Sequence, residues 1–452
     1  MAVTEIDKTN ARWIEHWDPE DPEFWEAQGR GVARRNLVWS IVAEHVGFSV
    51  WLLWSAVVVY LPAAGFAFSV DQLFWLVALP NLVGATMRFP YTFAVARFGG
   101  RNWTVISALL LLVPVLLMAV CVADPATPYS MFLLAAATAG VGGGNFASSM
   151  ANISFFYPDA KKGAALGINA AGGNIGVSTV QLVVPVVVGL SVFGVSAGAA
   201  GRVNLENIAL VWGPLSLVAA AGAWLFMDNL ASATSPVADQ MKAAAKPQTW
   251  VMALLYVGTF GSFIGYGAAM PLLMQTQFPD VTGASYAFLG ALVGSAFRPL
   301  GGWLADRRGG AMITALVFTG MGLGVLGVVA SVRAGSFVAF LLTFLVLFAL
   351  SGIGNGSTYR MIPAIFRTQS GDPVAARRHS AAALGLVSAI GAYGGFLVPR
   401  SLGISVANTG GIEAALFGFV GFYVVCTTLT WWCYLRRRVL VGRIPSLAHA
   451  RV

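Results

Sequence analysis

Charged residues are scarce in this sequence. Asp, Glu, Lys and Arg make up 10% of the 452 residues, whereas 57% of the residues are hydrophobic. Soluble globular proteins carry roughly 25% charged residues, so this composition excludes an ordinary soluble domain. Apolar runs long enough for the ~20 residues of a spanning helix recur along the whole chain. The sequence therefore predicts an all-α membrane protein that is surrounded by the lipid bilayer.

Cysteine and histidine are rare as well. The three cysteines lack the CxxC spacing of metal and redox sites, and we interpret them as small packing residues. The four histidines form no HExxH motif and no Cys/His cluster, and the predicted spans contain no pair of aspartates. We therefore expect no metal, no cofactor and no catalytic residue, which argues against a membrane-embedded enzyme.

The N-terminal residues do not have the pattern of a signal peptide. The first 36 residues are largely polar and include eight acidic side chains. A signal peptide begins instead with a short basic region and ends at a small-residue cleavage site. We expect that the chain is neither secreted nor cleaved.

Positive residues alternate between the two sides of the predicted helices. Lys and Arg cluster on every second connection and in both terminal segments, while the other connections carry only Arg202, Arg333 and Arg400. The positive-inside rule then predicts a multi-pass protein of the cytoplasmic (inner) membrane with both termini in the cytoplasm. The net charge of +8 thus reflects topology, and no nucleic-acid partner is expected. The twelve predicted spans are residues 37–61, 73–95, 104–122, 130–155, 164–190, 208–227, 250–272, 285–304, 311–330, 336–362, 381–399 and 415–434.

A polar segment divides these spans into six and six. The segment from Asp228 to Pro247 is the longest polar interruption on the predicted cytoplasmic side. The predicted domains are a cytoplasmic N-terminal segment (1–36), an N-terminal six-helix bundle (37–227), a cytoplasmic linker (228–249), a C-terminal six-helix bundle (250–434) and a cytoplasmic tail (435–452).

Two arginines lie inside apolar stretches that repeat each other. The segments 82–100 and 292–310 share the pattern Leu-Val-Gly-x-x-x-Arg, followed nine residues later by a second Arg and then by x-Gly-Gly. A charged residue inside the membrane costs at least ~2.5–3.5 kcal/mol on insertion scales, so it usually marks a functional site. We expect that Arg88 and Arg298 lie on symmetry-related helices and face one anion pathway.

The guanidinium group restricts which anion fits. It is a planar fork that donates two parallel charge-assisted hydrogen bonds and cannot be deprotonated. Two such groups suit a small planar monovalent anion such as nitrate or nitrite, whereas phosphate or a dicarboxylate would need more charge and more room. An empty carrier would bury two positive charges, so exchange of one anion for another is favoured.

Three long stretches carry a family resemblance. The stretches GGGNFASSMANISFFYP (142–158), GAALGINAAGGNIGVS (163–178) and GIGNGSTYRMIPAIF (352–366) resemble the nitrate signature segments of the nitrate/nitrite porters, NarK-type. The resemblance implies a major facilitator fold with two pseudo-symmetric six-helix bundles, and transport of nitrate and nitrite by alternating access. The anion-binding residues of that family correspond here to Arg88, Arg298, Asn174, Tyr256, Phe146 and Phe260.

Glycines recur at small-xxx-small spacing in these same regions. This spacing lets helix backbones approach closely in lipid. Two interpretations remain open, namely tight packing alone, or packing faces along which helices also move during alternating access. The pairs at this spacing are Gly140/Gly144, Gly172/Gly176, Gly290/Gly294, Gly352/Gly356 and Gly391/Gly395. Within these glycine-rich stretches, the residues that we assign to helix packing or gating are Gly142, Gly144, Gly173, Gly176, Gly352, Gly354, Gly391 and Gly394.

The connection after the eighth span contains a further motif. Residues 302–309 resemble the G-x-x-x-D-R-x-G loop motif of the major facilitator superfamily. In that superfamily the acidic residue pairs with basic groups and latches one conformation, which implies such a role for Asp306 and Arg307. The first half of the chain has Ala96 in place of Asp306, so its latch is expected to be weaker or differently built.

One carboxylate lies well inside a predicted span. Glu44 and His45 are adjacent in the first span. Two interpretations remain open: the pair is a proton relay, or it is a structural pair bonded to a neighbouring helix. The resembled family contains both nitrate/nitrite exchangers and proton-coupled nitrate importers. We expect antiport by a monomer, with proton–nitrate symport as the alternative and a carrier of another small organic anion as the third. The duplicated form argues against a channel.

Overall fold

Helices account for most of the chain. The computed structural model describes residues 12–190, 203–233, 237–369, 372–437, 446–450 and 452. Within these residues, twelve long helices follow the twelve predicted spans in order, which confirms the predicted fold class. They are α1 (Arg30–Trp51), α2 (Val70–Phe98), α3 (Gly100–Ala123), α4 (Tyr129–Phe156), α5 (Asp159–Val187), α6 (Asn207–Phe226), α7 (Pro247–Gln277), α8 (Phe288–Arg308), α9 (Gly310–Arg333), α10 (Phe337–Gln369), α11 (His379–Thr409) and α12 (Glu413–Leu435).

Ten of these helices are long and apolar enough to cross a membrane, counting only the part of the chain that the structure describes. The other two are α1 and α8. The first is interrupted at Leu52, whose ψ of 9° departs from helical geometry before one more helical segment, Leu53–Val57. The second carries Arg298 and a charged last turn, and these residues lower its mean hydropathy.

The helix of the first span begins earlier than its apolar run. The chain enters α1 through a short turn, Pro22–Phe24, and a π-helical turn, Trp25–Gly29. Asp21 caps this start, because its side chain accepts a hydrogen bond from the Glu23 backbone N–H at 2.9 Å. Proline follows at the first helical position, where its missing N–H is not needed. Hydropathy does not detect this start, since Glu23, Glu26 and Gln28 interrupt any apolar run in these turns.

Contacts within the chain define two compact units. The first unit comprises residues 1–66 and 83–235, and the second comprises residues 67–82 and 236–452, as far as these residues are described. Helix α2 is shared, because its residues up to Leu82 belong to the second unit. There Asp71 forms an ion pair with Arg400 of α11 at 2.8 Å, and the Arg400 guanidinium lies 4.2 Å from the centre of the Trp75 ring.

Glycines mark close helix crossings in the first unit. A Cβ atom on Gly142 of α4 would lie 2.2 Å from the carbonyl oxygen of Gly47 of α1. A Cβ atom on Gly176 of α5 would lie 2.3 Å from the carbonyl oxygen of His45. Both neighbours are backbone atoms, which cannot move aside as a side chain can. At these two positions the helices touch through their backbones.

The second unit repeats this construction. A Cβ atom on Gly352 of α10 would lie 2.1 Å from the Gly294 carbonyl oxygen of α8, and one on Gly394 would lie 2.4 Å from the Gly261 Cα. The remaining predicted glycines face side chains, with Gly144 against Tyr91, Gly173 against Glu44, Gly354 against Thr259 and Gly391 against Tyr256. All eight glycines therefore lie at close contacts; a role in helix movement stays a prediction.

The N-terminal segment folds onto the first unit. Strand β1 (Trp13–Ile14) pairs in parallel with strand β2 (Asn229–Leu230), which directly follows α6. Beyond β1, Trp17 packs edge-on against Phe24 and Phe156, with ring centroids 5.2 and 5.4 Å apart. Buried aromatic pairs of this kind stabilise a fold beyond the area that they bury. The segment that the sequence marks only as polar is thus anchored through its aromatic residues.

Candidate functional site

Arg88 is completely buried in the first unit. Its Nε donates a hydrogen bond to the carbonyl oxygen of Gly143 at 3.1 Å. Its guanidinium lies 4.6 Å from the centre of the Phe146 ring and 5.4 Å from the centre of the Trp51 ring. Cation–π attraction holds a guanidinium more firmly when both groups are removed from water. Residues of α1 and α4 thus orient this arginine of α2, and the predicted partners Arg88 and Phe146 are in contact.

Arg298 occupies the equivalent place in the second unit. Each arginine lies ten residues before the last residue of its helix, about 15 Å along the axis at 1.5 Å per residue. The side chain is buried, its Nη1 atom has no hydrogen-bond partner and it forms no ion pair among the described residues. Its guanidinium lies 5.7 Å from the centre of the Tyr359 ring. A buried donor without a partner is costly, so this group is suited to receive an acceptor.

Two predicted aromatic residues stack on each other beside this arginine. The rings of Tyr256 and Phe260 lie 5.3 Å apart at an angle of 13°, and both side chains are fully buried. Tyr256 directly precedes a π-helical turn of α7, Val257–Gly261, and Phe260 lies within it. Such turns occur frequently at functional sites. The Tyr359 ring lies 5.9 Å from the Tyr256 ring. Tyr359 therefore connects the arginine of α8 to the aromatic pair of α7.

Asn174 of α5 is buried with an unusual polar environment. Its side chain is 1% exposed, and neither its carboxamide nitrogen nor its oxygen has a hydrogen-bond partner among the described residues. Most buried polar side-chain atoms in proteins have at least one partner, so each exception needs an explanation. A carboxamide of this kind can donate to or accept from a ligand. It makes no hydrogen bond to Arg88.

Glu44 and His45 point to different partners. The Glu44 carboxylate is buried and accepts hydrogen bonds from the Ser149 hydroxyl and from the Asn169 Nδ2, the latter at 2.9 Å. The Ser149 hydroxyl also lies 2.9 Å from that of Ser40. The His45 Nδ1 lies 3.0 Å from the carbonyl oxygen of Gly172. Glu44 thus joins α1 to α4 and α5 within the first unit.

Gly173 is explained by this carboxylate. A Cβ atom at Gly173 would lie 2.5 Å from the Glu44 Oε1. A larger residue would therefore displace the carboxylate from its hydrogen bonds with Ser149 and Asn169. This glycine of the 163–178 stretch makes room for a buried charge, which is a more specific role than close packing of helices.

The predicted latch residues lie at the end of α8. Asp306 forms an ion pair with Arg360 of α10, and both side chains are about half exposed. The Arg307 guanidinium instead lies 4.0 Å from the centre of the Trp303 ring. The basic partner of Asp306 in this structure is thus a residue of another helix. An exposed pair of this type contributes roughly 0–1 kcal/mol, which suits a contact that is made and broken.

Sequence reasoning misses Tyr359, Ser149 and the position of Trp51. Tyr359 and Ser149 both lie in stretches quoted for the family resemblance, but nothing in the local pattern separates them from packing residues. Trp51 lies in an ordinary apolar run. Only the folded arrangement identifies it as a wall beside Arg88.

Comparison with known proteins agrees with this architecture. Residues 46–399 match the Major Facilitator Superfamily. The nitrate/nitrite transporter NarU of Salmonella typhimurium is 44% identical over 450 residues, covering 95% of this chain and 97% of that protein. The probable nitrate/nitrite antiporter NarK2 of Thermus thermophilus is 36% identical over 442 residues, covering 94% and 97%. A solved D-xylose-proton symporter has a TM-score of 0.68 at 14% identity, covering 88% of this chain and 97% of that chain, which supports the fold alone.

These similarities extend over nearly the whole chain. They include α2 and α8 with their buried arginines, and the stretches of α4, α5 and α10 from which the resemblance is inferred. The relatives are transporters and not enzymes. The chain therefore belongs to the nitrate/nitrite porter family, NarK-type, of the major facilitator superfamily.

Proposed function

We propose that this protein carries nitrate and nitrite across the cytoplasmic membrane by alternating access, as an exchanger of one anion for the other. The observation that carries the proposal is the pair of buried guanidiniums, Arg88 and Arg298, at equal depth in repeated helices. Two of the relatives are named as nitrate/nitrite carriers, and this supports the choice of anion. The alternation of positive residues supports the placement of both termini in the cytoplasm.

The environment of each arginine supports binding of a planar anion. Arg88 is held by the Gly143 carbonyl through Nε and lies against the flat Phe146 ring. A guanidinium fixed in this way presents its fork in one plane, and the two oxygens of a planar anion match that geometry. We propose that Asn174 and the Tyr256 hydroxyl contribute further hydrogen bonds, while Phe146 and Phe260 exclude water.

The charge of the arginines supports exchange. Arg298 forms no ion pair with any carboxylate in the described part of the chain, and its Nη1 has no hydrogen-bond partner there. A conformational change of the empty carrier that keeps positive charges buried and unpaired is unfavourable. A bound anion lowers this barrier in both directions. The carrier therefore returns more readily with a second anion than empty.

Proteoliposomes test this coupling directly. Vesicles loaded with nitrite, with nitrate or with neither are exposed to external nitrate, with and without a pH gradient. We expect uptake only into anion-loaded vesicles, and we expect the pH gradient to have little effect. Uptake into empty vesicles that is driven by external acid contradicts exchange and supports proton–nitrate symport.

Symport is the second candidate because of one observation, the buried carboxylate of Glu44. Its neighbours Ser149 and Asn169 could stabilise either protonation state. If Glu44 carries the coupled proton, together with His45, its protonation must change during each transport cycle. In the exchange mechanism the same carboxylate only joins three helices.

The Glu44→Gln variant separates these two roles. The amide keeps an acceptor oxygen for Ser149 and Asn169, so we expect the rate of nitrate/nitrite exchange to stay within about threefold of wild type. Glu413→Gln is the matched control, since it neutralises an exposed carboxylate that pairs with Arg333. A selective loss of uptake driven by a pH gradient, absent from the control, would show that Glu44 carries a proton.

A further inference from the structure

An open pocket of about 250 Å³ lies in the first unit at the beginning of α1. Its lining combines cationic and apolar side chains. Arg34 is exposed there and forms no ion pair among the residues that the structure describes, while Val38 is 48% exposed. The residues that line the pocket are Gly31, Arg34, Arg35, Val38 and Trp39.

The surroundings of the pocket carry more positive than negative charge. Arg35 forms an ion pair with the fully buried Asp228, and its Nε donates to the Phe226 carbonyl oxygen at 2.6 Å. Arg101 also interacts electrostatically with Asp228, and with the nearby Arg12. One carboxylate thus faces several guanidiniums, and no carboxylate of the described residues forms an ion pair with Arg34. The site has a net attraction for an anion.

The pocket lies where two membrane-spanning helices end. Phe226 is the last residue of α6, and Arg101 is the second residue of α3. The Trp39 ring stacks on Phe226 at 5.2 Å and 8°, and Trp224 of the same helix end is 55% exposed. Aromatic and basic residues together are typical of the level of the lipid headgroups. This combination of aromatic and basic residues at the ends of spanning helices is the setting in which lipid headgroups are bound.

We propose that this pocket binds the phosphate of an anionic phospholipid. Arg34 donates charge-assisted hydrogen bonds to the phosphodiester, and Val38 and Trp39 contact the glycerol and the first acyl carbons. Basic pockets between helices on the cytoplasmic side are suited to such headgroups. A free phosphate ion satisfies only the cationic half of this pocket, so the apolar half favours a lipid. The site is separate from the buried arginines Arg88 and Arg298.

Lipid binding to the full chain in neutral detergent tests the proposal. Retention of phosphatidylglycerol is measured by native mass spectrometry, and protection against thermal unfolding is measured in parallel, with phosphatidylcholine as the zwitterionic comparison. We expect stronger retention of phosphatidylglycerol and about fivefold weaker binding to Arg34→Gln, the loss of one basic contact near the membrane surface. Arg367→Gln is the matched control, an exposed arginine in the second unit, and it should bind as wild type does.

Three results would overturn the lipid site. The first is equal retention of phosphatidylglycerol and phosphatidylcholine, and the second is unchanged binding to Arg34→Gln. The third is protection by inorganic phosphate equal to that by phosphatidylglycerol, because this would identify the occupant as a soluble ion. The measurements do not involve nitrate transport, so their outcome is independent of the proposed exchange.

Discussion

Replacement of Arg88 by lysine is expected to lower nitrate uptake by about tenfold or more, the equivalent of one lost charge-assisted hydrogen bond. The positive charge is retained, but the planar fork is not. Lysine also lacks the Nε that donates to the Gly143 carbonyl oxygen, and it loses the flat contact with the Phe146 ring. The measurement is the initial rate of nitrate uptake into nitrite-loaded proteoliposomes.

Arg298→Lys should have an effect of the same size, because this arginine occupies the equivalent place in the repeat. Arg333→Lys is the matched control, since Arg333 is exposed and pairs with Glu413. Both buried variants must elute as folded monodisperse protein for the comparison to count. Transport at the wild-type rate in either variant would rule out recognition of the anion by a planar guanidinium.

Gly352→Ala is expected to destabilise the folded protein by about 3 kcal/mol or more, the upper part of the range for overpacking. The added Cβ would lie 2.1 Å from the Gly294 carbonyl oxygen, and it could be accommodated only if α10 and α8 separated. Gly142→Ala should behave in the same way, because its Cβ would meet the Gly47 carbonyl oxygen at 2.2 Å. Thermal unfolding in detergent and the folded yield measure the effect.

Gly421→Ala provides the control for these substitutions. Gly421 lies in α12, and nothing is found within 4 Å of a Cβ built there. Alanine has a higher helix propensity than glycine, so this variant should be as stable as wild type or slightly more stable. Wild-type stability of Gly352→Ala would contradict the backbone contact between α8 and α10.

The fold and the two buried arginines can be predicted from the sequence for a physical reason. A spanning helix must be apolar over ~20 residues, so hydropathy alone finds most of α1 to α12. A buried arginine is costly enough to be conspicuous, and the 210-residue repeat shows that Arg88 and Arg298 share one depth. The predicted span 73–95 ends seven residues after Arg88. In the structure, α2 continues through Phe98, so Arg88 lies ten residues from the helix end.

The side-chain contacts of the site are harder to predict from the sequence. Hydropathy does not show that Tyr359 contacts both Arg298 and Tyr256, because a tyrosine that contacts a guanidinium looks the same in sequence as one that only packs against other helices. The partners of Glu44 lie 105 and 125 residues away along the chain. Contacts over such distances depend on how helices pack, which one sequence does not specify.

The pairing of β1 with β2 has a consequence for the order of biosynthesis. Trp13 and Ile14 leave the ribosome long before their partners Asn229 and Leu230, which lie about halfway along this sequence. Domains generally fold as units during synthesis, N-terminal part first. Here strand β1 has no strand partner while α1 to α6 are being made. The first unit is therefore completed only after β2 has been made.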